Sequence, residues 1–196
     1  MSDLGYTTQV VTIKGTGDLL THNGQLADPS NPIARKMKDV SGKRKKTDAD
    51  FIELADLEFL GGLYVSRGKI TIPPAVIESM LVEGARSFKE GKIALAGAFV
   101  EQDVDFTFDG PTDVDERRAD ADCRLVVGVK IGQNRVMRCR PIFRNWSLTF
   151  NVSTLQESIS DDMLERWVTA AGRTKGIGDW RPRYGRFGVV SVKKEV

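Results

Sequence analysis

The sequence predicts an α+β fold, an antiparallel sheet with helices on one face and long insertions between its strands. Three observations predict it. β-branched or alternating apolar segments lie near both ends of the chain and across Arg124 to Val152. Stripes of helical period lie between them, at Val76 to Phe88 and Met163 to Ala171. The order is strand, helices, hairpin, helix, three strands, helix, glycine-rich loop, strand. Strands and helices in this order are compatible with a ferredoxin-like, split β-α-β arrangement.

Each element has a local cause. Thr8 to Lys14 is β-branched and apolar, and turns at Gly15-Thr16-Gly17-Asp18. Asn31 caps a short helix with Pro32 at its first position, and Ser41-Gly42 ends it. Thr47-Asp48-Ala49-Asp50 is a capping box opening a helix to about Leu60, with Phe51, Leu54, Ala55 and Phe59 as its apolar face. Leu63 to Ile72 is a small hairpin turning at Ser66-Arg67-Gly68. Pro73-Pro74 opens a helix whose Val76, Ile77, Met80, Leu81, Gly84, Ala85 and Phe88 share one face. Ile93 to Val100 fits either helix or strand. Glu101 to Asp122 lacks apolar periodicity and reads as a partly ordered excursion.

Across Arg124 to Val152, period two marks three strands of one sheet. Leu125, Val127, Val129 and Ile131, then Met137, Cys139 and Phe143, then Trp146, Leu148, Phe150 and Val152 form its oily face. Arg124, Lys130, Arg138, Arg140 and Arg144 form a basic face opposite. Ser160 caps a helix ending near Gly172, and Phe187 to Val192 is the last strand. The organisation expected is one domain over 1–196, with a basic helical insertion at 31–62 and an acidic insertion at 101–122.

Charge is nearly balanced in total, 29 Lys and Arg against 27 Asp and Glu, but not along the chain. Arg35 to Lys46 holds seven bases and one acid; Glu101 to Asp122 holds nine acids and two bases. Arg124 to Arg144 holds six bases and no acid, and Arg173 to Lys194 seven bases and one acid. Such blocks build a basic side and an acidic side. The total excludes a uniformly basic nucleic-acid binder and nothing more.

Two cysteines, Cys123 and Cys139, and one histidine, His22, make neither a disulfide framework nor a four-ligand zinc site, so no metal and no cofactor is expected. Asp103, Asp105, Asp109, Asp113 and Asp115 lack the spacing of a calcium loop and read as solvated acids. No apolar run approaches the roughly 20 residues that span a membrane. The start of the chain lacks a basic segment followed by an apolar one, so a cytoplasmic protein without a secretory signal is expected.

Between the last helix and the last strand lies the sharpest motif. It runs Gly176-Ile177-Gly178-Asp179-Trp180-Arg181-Pro182-Arg183-Tyr184-Gly185-Arg186-Phe187. Glycines let a backbone approach a ligand and expose amide donors. Arg181, Arg183 and Arg186 supply phosphate forks, and Trp180 and Tyr184 supply stacking faces. No Gly-Lys-Ser/Thr ends the run, so it is not a P-loop.

This motif resembles the glycine-rich loop of the RAMP superfamily, which includes the CRISPR effector backbone subunits and the guide-processing endoribonucleases. Two further echoes occur in the same order. Ile72-Pro73 precedes a helix ending Gly84-Ala85-Arg86, with Pro74-Ala75 where the family often has Gly-Ser, and a basic insertion follows the first strand. The whole chain also resembles small proteins encoded by tailed phages. The resemblance implies a modified RRM-like fold, a groove for single-stranded RNA or DNA, a side-by-side homo-oligomer and residence in a host cytoplasm.

The function expected is therefore non-catalytic binding of single-stranded nucleic acid. Its phosphates would meet Lys43, Arg44, Lys45, Lys46, Arg138, Arg140, Arg181, Arg183 and Arg186, its bases Trp180 or Tyr184, and its backbone the amides of Gly176 and Gly178. The acidic insertion would dock on a neighbour's basic loop. Two alternatives belong to other classes. One is a metal-independent endoribonuclease using His22, supported by Lys36 and Tyr184. The other is an inhibitor or mimic acting on a CRISPR effector complex.

Overall fold

The computed structural model describes residues 5–194. Among them the fold is α+β, with two antiparallel sheets and six α-helices. The first half runs β1 (Tyr6–Gly15), β2 (Leu19–Leu20), α1 (Pro32–Gly42), α2 (Asp48–Gly62), β3 (Val65–Ser66), β4 (Lys69–Ile72) and α3 (Pro74–Arg86). Then come α4 (Gly91–Gly97), β5 (Ala98–Phe99), β6 (Val104–Thr107), α5 (Val114–Ala119), β7 (Arg124–Ile131), β8 (Asn134–Phe143), β9 (Ser147–Leu155), α6 (Asp161–Thr174) and β10 (Phe187–Lys194). The chain forms two compact units, the first from residues up to 19, 71–109 and from 143, the second from 20–70 and 110–142.

In the first unit the strand order is β10-β1-β9-β6-β4, every neighbour antiparallel, with β5 also pairing with β9. Register places Val11 beside Phe150 and Ile13 beside Leu148, so these pairs bury an apolar patch on one face of the sheet, with Gln9 buried beside Val152 at its edge. Val104 and Phe106 of β6 extend that buried face. The core is completed by Ile77, Met80, Leu81 and Ala85 of α3 and by Leu164, Trp167, Val168 and Ala171 of α6.

The two helices approach so closely that a Cβ on Gly84 would lie 2.1 Å from the Trp167 carbonyl oxygen. Glu90 accepts from Trp167 Nε1 at 2.6 Å and from Arg166, and these donors hold its carboxyl below the usual range. The opposite sheet face is polar, with Thr12–Thr149 and Thr107–Ser147 hydroxyl pairs at 3.0 and 2.6 Å.

Several expectations change here. The acidic stretch contains β6, a strand inside the sheet, because Val104-Asp105-Phe106-Thr107 alternates buried and exposed and the acid takes an outward position. Ile93 to Val100 is both helix and strand, α4 giving way to β5. Gly172 lies within α6 rather than ending it; a Cβ there would meet the Phe187 carbonyl oxygen at 2.4 Å. The three strands of Arg124 to Val152 do not share a sheet: β7 pairs with β8, which pairs with β2, whereas β9 joins β1. The chain is redirected at Asn145, whose φ of 48° turns the backbone and whose side chain donates to Asp109.

In the second unit Asn31 caps α1, accepting from the Ile33 and Ala34 amides, and Pro32 follows it. Thr47 and Asp50 form the capping box of α2. The hairpin β3–β4 turns through Arg67 and Gly68, with φ of 51° and 77°, the twist a two-residue hairpin requires. The second sheet has the order β2-β8-β7. No helix among the described residues is long and apolar enough to cross a membrane.

Asp50 also pairs with Lys43, at 2.5 Å. Lys43 first, then the Thr47 amide and hydroxyl, lower its carboxyl to about 2. An unfolded aspartate titrates near about 3.9. The support Asp50 gives α2 is therefore complete above that value and lost as the pH falls towards 2. A thermal midpoint gap between wild type and Asp50→Asn is expected to be widest near neutral pH and to narrow in acid. A gap constant with pH contradicts this.

Candidate nucleic-acid interface

The glycine-rich segment is a loop with a closed base. At the end of α6 the Lys175 and Gly176 amides both donate to the Ala171 carbonyl, at 2.8 and 2.7 Å, and Gly176 takes a φ of 76°. Ile177 is fully buried, and its amide donates to the Gly185 carbonyl at 2.9 Å. The Gly185 amide donates to the Asp18 carbonyl at 2.7 Å, tying the loop to the turn after β1. Two further bonds stiffen that turn, the Thr16 amide to the Arg186 carbonyl at 2.9 Å and Trp146 Nε1 to the Gly17 carbonyl at 2.8 Å.

Above this base, Arg181, Arg183 and Arg186 are exposed, and Gly178, Trp180 and Tyr184 are half-buried. The Trp180 and Tyr184 ring centroids are 6.3 Å apart, inclined at 49°. The Arg183 guanidinium lies 5.8 Å from the Tyr184 ring centre. Arg186 Nε donates to the Pro182 carbonyl at 2.8 Å, closing the lobe across its neck. The arrangement offers guanidinium forks beside two partly open aromatic faces. Gly176 departs from the expected role: it is buried and its amide is bonded within the chain, so it shapes the loop instead of contacting a ligand.

The other expected phosphate contacts belong to the second unit. Lys43, Arg44 and Lys45 are exposed, Lys43 being paired with Asp50, while half-buried Lys46 donates to the Lys43 carbonyl at 3.1 Å. Arg138 and Arg140 are not on an open basic face. Register sets Arg140 opposite Leu125 and Arg138 opposite Val127, so both arginines share the face that carries the apolar residues of β7. There they meet Glu58 of α2, which accepts from Arg140 Nη1 at 2.7 Å and lies 3.5 Å from Arg138 Nη1. Glu58 also accepts from the Cys139 amide at 2.7 Å. Arg140 and Glu58 are both buried.

Alternation within each strand is real, but it does not say which faces meet across a hairpin. The turn at Gly132-Gln133 decides that, pairing Ile131 with Asn134. Glu58 is the residue that sequence reasoning missed. Its only signal is a carboxylate on the same helix stripe as Leu54.

His22 is half-buried in the second unit, where its carbonyl accepts from Tyr64 Oη at 3.1 Å. Lys36 is exposed on α1 of that unit, and Tyr184 belongs to the first. Asp113 caps α5, accepting from the Asp115 and Glu116 amides. Among the described residues no group of three or more His, Cys, Asp or Glu is arranged to hold a metal ion. Burial pushes the Cys139 thiol above its ordinary value, against the opposing pull of Arg124. Cys139 is thus protonated at neutral pH, the inert form of a thiol. No protein-family model and no curated protein sequence matches this chain.

Proposed function

We propose that this protein binds single-stranded RNA or DNA, without catalysis, through the glycine-rich loop of its first unit. One observation carries the reading: Arg181, Arg183 and Arg186 stand exposed beside half-open Trp180 and Tyr184, on a loop whose base is closed by Ile177 and Gly185. A preformed array of guanidinium groups and aromatic faces lowers the ordering cost of binding. It also matches the alternation of phosphate and base along a single strand.

The strand order β10-β1-β9-β6, with α3 between β1 and β6 and α6 between β9 and β10, supports a ferredoxin-like, RRM-like assignment for that unit. The RAMP resemblance of residues 176–187 points the same way. Exposed acids such as Asp103, Asp115 and Glu116 are complementary to the basic loop of a neighbouring copy, where Arg44 and Lys45 are exposed.

The test is fluorescence anisotropy with labelled single-stranded RNA and DNA across a salt series. Affinity is expected to fall steeply with salt. Arg181→Ala with Arg183→Ala is expected to weaken binding at least tenfold and to lower the logarithmic salt slope by roughly 2. Absence of binding at about 50 mM salt, or binding indifferent to the double substitution, refutes the reading.

A further inference from the structure

The outward face of α6 is not used by the loop or by the core. Glu165, Arg166 and Arg173 are exposed along it, and Thr169 and Ala170 are half-buried between them. With Phe88 these residues line an open groove of about 580 Å³. Phe88 is 42% exposed, an aromatic ring left partly uncovered at the groove's edge. Arg166 is fixed within its own copy: its guanidinium lies 5.0 Å from the Phe88 ring centre and it bonds Glu90.

The charges left on this stripe have a symmetry. Glu165 precedes Thr169 by four residues and Arg173 follows it by four. At 1.5 Å per residue, they stand about 12 Å apart along the helix, too far to pair with each other. A second α6 laid antiparallel across Thr169 brings each Glu165 beside Arg173 of the other copy. The small residues Thr169 and Ala170 are at the crossing, where two backbones must come close.

We propose that this face is a two-fold interface between copies of this chain, α6 packed antiparallel on α6, with two reciprocal Glu165–Arg173 ion pairs. The same patch meets itself, as a closed two-fold dimer demands. Each Phe88 is covered beside the crossing. A nucleic acid fits this groove poorly, because Asp162 and Glu165 line it as well. The interface goes beyond the nucleic-acid reading and does not need it, since its readout is mass in the absence of any nucleic acid.

Sedimentation velocity on the full chain, over a range of concentrations, tests it. Wild type is expected to reach a dimer and no larger species through this face. Glu165→Arg alone, or Arg173→Glu alone, sets like charges together at both pairs and is expected to weaken dimerisation at least about tenfold. An equimolar mixture of the two single variants restores opposite charges at both pairs, so it is expected to regain the dimer. Far-UV circular dichroism checks that each variant is folded. A monomeric wild type, single variants that dimerise as wild type does, or a mixture that stays monomeric overturns the proposal.

Discussion

Glu58→Ala is expected to lower the stability of the second unit by about 3–5 kcal/mol, the scale for removing one partner of a buried ion pair. The carboxylate accepts from the Cys139 amide and from Arg140 Nη1, both at 2.7 Å, and Arg138 lies within 3.5 Å. Its side chain is 8% exposed and that of Arg140 is 9% exposed. Without it, the buried Arg140 guanidinium loses its carboxylate, keeping the neutral Cys139 carbonyl at 3.1 Å, and the buried Cys139 amide loses its acceptor. Glu58→Leu combined with Arg140→Leu is expected to cost less than Glu58→Ala alone, because the one charge it leaves without Glu58, Arg138, is partly exposed to water and not buried. Urea unfolding of the three proteins, followed by far-UV circular dichroism, measures both differences. A cost below about 1 kcal/mol for Glu58→Ala, the scale of an exposed pair, would show that water reaches the cluster.

Gly185→Ala is expected to abolish single-strand binding while leaving most of the secondary structure in place. A Cβ at this position would fall 1.7 Å from the Ile177 carbonyl oxygen. The φ of 73° adds about 1–2 kcal/mol of left-handed strain for a residue with a side chain. Relief requires the base to open, breaking the Ile177–Gly185 and Gly185–Asp18 bonds that hold Arg181, Arg183, Trp180 and Tyr184 in one array. The loss is expected to equal or exceed that of the double arginine substitution. Gly188→Ala is the control, since nothing lies within 4 Å of the added carbon. Anisotropy with labelled single strands decides. Wild-type affinity in Gly185→Ala would mean that loop closure is irrelevant to binding.

The glycine-rich loop is largely legible in the sequence, because its chemistry is carried by consecutive residues. The roles inside it are not. Gly176 and Gly178 look alike as letters, yet Gly176 closes onto Ala171 and is buried, while Gly178 is half-buried in the lobe. The arginines of β8 are the opposite case. Arg138 and Arg140 look like solvent-facing partners of an apolar strand, and their environment depends on a carboxylate some eighty residues earlier.

What the sequence by itself determines here is local. Asn31, Thr47 and Ser160 start their helices, since a cap accepts from amides two or three residues on. The alternation of β9 buries Leu148, Phe150 and Val152 because successive side chains of a strand point to opposite sides. Only the tertiary structure decides which sheet each strand joins, which hairpin faces meet, and where Glu58 finds its arginines. Those outcomes come from contacts between residues far apart in the chain. Period two specifies a face without specifying its partner, and a turn of one residue more or less exchanges the faces.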